Sequence, residues 1–183
     1  MKRLIRLLKS FWKREQVGSC GKKFRCGKNM IIHNGKNISI GDNFLCADNC
    51  ELSVWSERVK NMKTPEISIG NNVTIASYSY ISCANKITIS DGVLLGVNTF
   101  ITDNFHGDSS IAEKFVIPNN RKLYSKGEVI IGRNVWIGRN VCIMPGVTIG
   151  DYSVVGANAV VTHDIPSNSI AVGVPAKVIS KLK

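Results

Sequence analysis

Long apolar runs are missing from this chain of 183 residues. No stretch approaches the roughly 20 apolar residues that cross a bilayer, so the body is expected to be soluble. Neither GxxxxGKS/T nor GxGxxG occurs, so the two commonest phosphate cradles are excluded. Aromatic residues make up only 7% and form no stripe of stacking platforms among the cations, which argues against a nucleic-acid face. The six cysteines, at positions 20, 26, 46, 50, 83 and 142, lack the paired close spacing of a zinc site. Reduced thiols acting as small hydrophobes in a cytosolic protein are the expectation. Histidine occurs only at His33, His106 and His163, and acid is scarce, with 13 Asp and Glu against 24 Lys and Arg.

The resulting charge of +11 is uneven. Residues 1–28 hold ten Lys or Arg and one Glu, a net +9, which leaves +2 for all the rest. Within that segment MKRLIRLLKSFWKRE reads as a short amphipathic helix. Leu4, Leu7, Leu8 and Phe11 fall at helical spacing, with Lys2, Arg6, Lys9 and Lys13 largely opposite. Charge interrupts it too often for a signal peptide. Two uses fit: a peripheral contact with an anionic membrane through residues 1–14, or a cap on the open end of the body that follows.

What the chain has in abundance is period. Ile131, Ile137, Ile143, Ile149, Val155 and Val161 place an aliphatic residue at every sixth position. A second row, Val135, Val141, Val147, Ser153, Ala159 and Ile165, is mostly small or β-branched, and Gly or Asn fills the positions between. No helix accommodates six, because at about 100° per residue successive repeats land far apart. A straight strand would turn Arg133, Arg139 and Asp151 inward. The chain must therefore bend once per unit, at corners where Gly and Asn accept left-handed backbone angles. Three units close a coil of eighteen residues, and stacked coils pair as parallel strands that bury one another's apolar rungs. The pattern is traceable from Ile38, pauses at an insertion from Ser56 to Glu66, resumes at Ile69, and gives about six coils. It breaks after Ile101: residues 107–128 have no hexad phase, and a loop that long in a compact solenoid is more often functional than idle. The predicted organisation is a basic amphipathic segment at 1–23, a β-helix over 24–172 with a protruding loop at 107–128, and a short helical tail at 173–183.

From Ile38 to Lys183 these repeats resemble the hexapeptide-repeat acyltransferases, in particular the maltose or galactoside O-acetyltransferase and polysaccharide O-acetyltransferase branch. The resemblance implies an all-β fold, a left-handed parallel β-helix, assembled as a homotrimer. The hand comes from the resemblance alone, since general crossover rules favour the right hand. It also implies acetyl-CoA as co-substrate, no metal, and a sugar acceptor in a cytoplasmic reaction.

His106 matches the family's catalytic base, an aspartate-flanked histidine before the protruding loop. A neutral imidazole there would take the proton of a sugar hydroxyl as its oxygen attacks the thioester, with backbone N–H groups of a neighbouring coil as expected oxyanion donors. Asp103 either orients that imidazole, binds acceptor, or is a satisfied turn carboxylate. Gly138, Ala157, Thr162 and Lys177 match the coenzyme A groove, and Trp136 matches an aromatic beside it or packs at a trimer seam. Two departures stand out: Ala84 occupies the place of an acceptor-site aspartate, and Ser180 that of a basic residue near the end. The first disfavours simple disaccharide acceptors and points to a polysaccharide or saccharide precursor. An amino sugar taking an N-acetyl group is the alternative acceptor.

Other classes with this fold are a γ-type carbonic anhydrase, which needs clustered zinc histidines, and a non-catalytic binding scaffold. Serine acetyltransferase needs a larger helical domain than the roughly 37 residues before Ile38 supply.

Overall fold

The computed structural model describes residues 10–56, 64–108 and 110–182. Nearly every strand is two to four residues long, and the strands fall into three parallel faces. The first face runs through Ser19–Cys20, Ile38–Ile40, Glu66–Ile69, Lys86–Ile89, Val129–Ile131 and Thr148–Ile149. The second starts at Arg25–Cys26 and runs to Val154–Val155 and Ser169–Val172. The third starts at Ile31–His33 and ends at Val160–Val161. Taken in chain order the faces alternate, and the chain winds six coils of a left-handed parallel β-helix.

The six-residue row is the core. Ile131, Ile137, Ile143, Ile149, Val155 and Val161 are all fully buried, and the second row packs beside them. In register, Ile101 stacks on Ile143 and Ile143 on Val161, so each coil covers the rung of the next. Truncating one such rung to Ala costs about 2–5 kcal/mol.

Asparagine makes the corners. Asn29, Asn49, Asn98, Asn140 and Asn158 take positive φ at five turns between the second and third faces, and Tyr78 takes it at the third coil's turn. The side-chain amide both donates and accepts, so it can continue along the axis. Asn98 donates to Asn140 at 3.1 Å and Asn140 to Asn158 at 2.9 Å. At the turn between the first and second faces, carboxylate or amide oxygens of Asp42, Asn71, Asp91 and Asp151 each accept a backbone N–H from the coil before. Coils approach so closely there that a Cβ on Gly132 would lie 2.5 Å from Asp151 Oδ1.

Two expectations change. The first strand is Ser19–Cys20, ahead of the predicted start at residue 24 and a full coil before the first traceable repeat at Ile38, because Cys20, Cys26 and Ile32 continue the six-residue row in a less obvious alphabet. The predicted helical tail is instead a strand: Lys177–Lys181 runs antiparallel to Ser169–Val172 and closes the second face. All five of its residues are exposed, as on an edge strand, and the edge left by Ser169–Val172 supplies the pairing a helix would leave unmet. Of the predicted N-terminal helix, residues 10–14 are helical, and residues 1–9 lie outside the described residues. No described helix is long and apolar enough to cross a membrane.

Candidate active site at the base of the protruding loop

On the third face the outward residues of one column are Ile31, Glu51, Tyr80, Phe100, Cys142 and Val160. The next column outward is His33, Ser53, Ser82 and Thr102. Tyr80 and Phe100 form an aromatic pair with centroids 5.6 Å apart. The chain leaves the coil just past Thr102, and polar contacts fasten its exit. Asn104 donates its amide to Ser82 O at 3.0 Å and Ser82 Oγ at 3.3 Å, while Trp55 Nε1 donates to the same Ser82 Oγ at 3.1 Å.

Asp103 is fully buried and its carboxylate is spent on the preceding coil. It accepts the backbone N–H of Ala84 at 2.7 Å and of Asn85 at 2.9 Å, the Asn104 amide at 3.0 Å and the Cys83 thiol at 3.3 Å. Burial and then the Asp103 charge push the Cys83 thiol up, which keeps it a protonated donor. Among the described residues Asp103 makes no hydrogen bond to His106. Of its three sequence readings, the geometry matches the turn carboxylate.

His106 follows on the two-residue strand Phe105–His106, paired antiparallel with Leu123–Tyr124. This pair is the stem of the protruding loop. Gly107 comes next with φ +88°, and a Cβ there would collide with the Glu113 carboxylate, which accepts the Asp108 N–H at 2.8 Å. Only glycine fits both demands, so the turn fixes the strand that carries the imidazole. The ring is exposed and forms no side-chain hydrogen bond among the described residues.

The other sequence-predicted residues lie apart from it in a single chain. Gly138 and Ala157 are stacked at the corner between the second and third faces; a Cβ on Gly138 would lie 2.6 Å from Ala157 N. Lys177 reaches the same corner, since Ala176 donates to Val160 O at 2.8 Å. Trp136 faces outward on the second face, 54% exposed, between Leu94 and Val154. Thr162 lies on the edge from which His106 departs, one position past Val161 as Thr102 is past Ile101, its hydroxyl 2.9 Å from His163 Nδ1. Cys142 is partly buried between Phe100 and Val160.

One chemical expectation fails here: the regular coils offer few free oxyanion donors. The N–H groups of Gly138, Asn140, Cys142 and Met144 are all committed to carbonyls of neighbouring coils. Parallel stacking uses its N–H groups along the axis, so the glycine count says nothing about availability. Sequence reasoning also missed Trp55, Ser82 and Asn104, whose roles depend on which coils stack. Among the described residues no cluster of His, Cys, Asp or Glu has the arrangement of a metal site.

The body is a β-helical solenoid with an exposed histidine at a loop stem and an edge of small residues near Lys177. The family described as bacterial transferase hexapeptide (six repeats) matches residues 128–163. The chain is 35% identical over 153 residues to the Escherichia coli (strain K12) protein WbbJ, whose name assigns it to O-acetyl transfer in lipopolysaccharide biosynthesis. That match covers 82% of this chain and 74% of WbbJ. Among solved structures it is similar to a hexapeptide-repeat acetyltransferase of Vibrio cholerae O1 biovar eltor complexed with acetyl coenzyme A. The identity is 26% and the TM-score 0.67, covering 97% of this chain and 78% of that one. It is also similar to AntD, an N-acyltransferase from Bacillus cereus, in a mutant complex with dTDP and coenzyme A. There the identity is 28% and the TM-score 0.78, with 94% and 88% covered. The chain belongs to the hexapeptide-repeat transferase family, and it is an acyltransferase of that family.

Proposed function

We propose that the protein transfers an acetyl group from acetyl-CoA to a hydroxyl of a polysaccharide or saccharide precursor, in the cytoplasm, with His106 as general base. The observation that carries this reading is the exposed imidazole, without a side-chain hydrogen bond among the described residues, on a stem that Gly107 and the Leu123–Tyr124 strand hold in place. The His106 nitrogen takes the acceptor proton while the oxygen attacks the thioester carbonyl. The C–S bond then breaks, and the coenzyme A thiolate recovers a proton from the imidazolium. No acyl-enzyme is required.

The edge formed by Gly138 and Ala157 suits a pantetheine arm, since neither residue projects a large side chain, and Lys177 is an exposed cation for the phosphates. Thr162 and Trp136 complete the proposed binding set. His106 and this edge lie on opposite sides of the third face, which supports a site shared between subunits of a homotrimer. Asp103 acts indirectly, by tying the exit of the loop to Ala84 and Asn85. The relation to WbbJ supports a hydroxyl acceptor.

His106→Ala should lower kcat by roughly 10²–10⁴ and leave acetyl-CoA affinity and melting temperature unchanged. Cys142→Ala and His163→Ala are the controls. Loss of turnover in either folded control, with His106→Ala active, would overturn the assignment, and ping-pong kinetics would identify Cys142 as a nucleophile.

The likeness to AntD favours a second reading, acyl transfer to the amine of an amino sugar. The products separate the two: an ester is cleaved by mild alkali and an amide is not.

A further inference from the structure

The N-terminal end of the β-helix carries an unusual surface that the transfer reaction does not use. The first coil of any stack has backbone groups with no coil before it. Here the helical residues 10–14 supply a partner: Ser10 is buried, and its hydroxyl accepts the Cys26 N–H at 3.1 Å. Arg14 donates to Cys20 O at 3.3 Å. The segment is thus fixed to the end of the solenoid as a cap. A cap that served only to close the core would turn its apolar side chains inward. Instead Phe11 is 59% and Trp12 69% exposed.

Cations surround that aromatic pair in sequence and in the first coil. Arg14, Lys22, Lys23, Arg25 and Lys28 are all exposed. Lys22, Lys23 and Lys28 occupy the corners of the first coil, and Arg25 faces outward from its second side. Residues 10–41 hold seven Lys or Arg against a single acid, the exposed Glu15. The nearest carboxylates at these corners, Asp42 and Asp48, belong to the second coil and accept the backbone N–H groups of Lys22 and Lys28. Among the described residues no carboxylate forms an ion pair with these ammonium groups.

We propose that this end is a docking surface for an anionic lipid bilayer, with Phe11 and Trp12 entering the headgroup layer and the first-coil cations lying over it. Amphipathic aromatic rings favour that layer, where one part of the ring is apolar and the other wet. Each cation near an anionic surface is worth roughly a five-fold change in partitioning. A nucleic acid would meet the same charge but would need ring faces spaced for successive bases, and Phe11 and Trp12 are adjacent. The solenoid axis would then stand away from the surface. The site at the loop stem, three coils along the stack, would be held close to acceptors carried on lipid.

The test is co-sedimentation of the full chain with vesicles of phosphatidylcholine alone and of phosphatidylcholine mixed with phosphatidylglycerol. Three proteins are compared: the parent, a Phe11→Ser/Trp12→Ser variant and a Lys22→Gln/Lys23→Gln variant. The parent should sediment with the anionic vesicles only, and added salt should release it. The aromatic variant should lose binding at least about ten-fold, and the lysine variant a comparable amount, with melting temperature and acetyl transfer to a soluble acceptor unchanged. Indole emission that shifts to the blue on anionic vesicles in the parent, and not in Trp12→Phe, would place that ring in the lipid. Equal binding to neutral vesicles, or undiminished binding by both variants, overturns the proposal. So does a chain that ignores vesicles and retains single-stranded RNA at the same salt.

Discussion

Replacing Asp103 with Asn separates a structural carboxylate from a catalytic one. The native group is fully buried and accepts two backbone N–H groups, a side-chain amide and a thiol. An amide keeps one oxygen and presents an NH₂ where the other stood, so one of the Ala84 or Asn85 N–H groups faces a second donor. Hydrogen bonds to a charged acceptor are worth about 1.5–3 kcal/mol, and a stranded buried donor costs a similar amount. Removing the charge returns part of that, because a buried carboxylate is poorly solvated. The net loss is about 3 kcal/mol, and in a chain of this size each kcal/mol lowers Tm by roughly 2–4 °C. Asp103→Asn should therefore melt about 6–12 °C below the parent by calorimetry or circular dichroism. At 25 °C, well below that transition, kcat should fall by less than about ten-fold, since the carboxylate contacts neither the His106 imidazole nor solvent. The reasoning is refuted by the opposite pattern: Tm within about 1 °C of the parent and a hundred-fold loss of kcat.

Gly107→Ala should lower kcat/KM by roughly 10–100-fold, because the added methyl must displace the Glu113 carboxylate and tilt the stem bearing His106. Steady-state kinetics beside a melting curve will separate that from unfolding. Lys177→Gln should raise the KM for acetyl-CoA by roughly 3–10-fold with kcat unchanged, and high salt should erase the difference. No change in KM at low salt would remove Lys177 from the phosphate site. Light scattering at micromolar concentration should give three times 20.1 kDa; a monodisperse monomer with full activity would sink the shared-site arrangement.

The six-residue row dictated a coiled parallel β-solenoid by itself, though not its hand, because a period of six with Gly and Asn at its breaks is compatible neither with a helix nor with a straight strand. Ile131 to Val161 could be assigned to the core one residue at a time, and the loop after Ile101 showed as a gap in the phase. His106 was legible for a related reason: it stands at the boundary between a strict repeat and its interruption.

The first coil was harder to read, since Cys20 and Cys26 hold the positions that Ile and Val hold later and Lys23 takes an Asn's place at the corner. The tail misled because propensity in a short basic segment is weak, whereas an open sheet edge offers a full set of backbone partners, and Lys177–Lys181 takes it. What only the tertiary structure decided are relations across coils. Asp103 ends on Ala84 and Asn85, nineteen and eighteen residues back. Trp55 and Asn104 meet on Ser82. Ser10 closes the end at Cys26 while Phe11 and Trp12 stay in solvent. The physical reason is that a repeat fixes which residues point inward, a property of spacing along the chain. Which polar groups satisfy one another outside the core depends on the register of one coil on the next, and the insertion and the loop change coil length at two places.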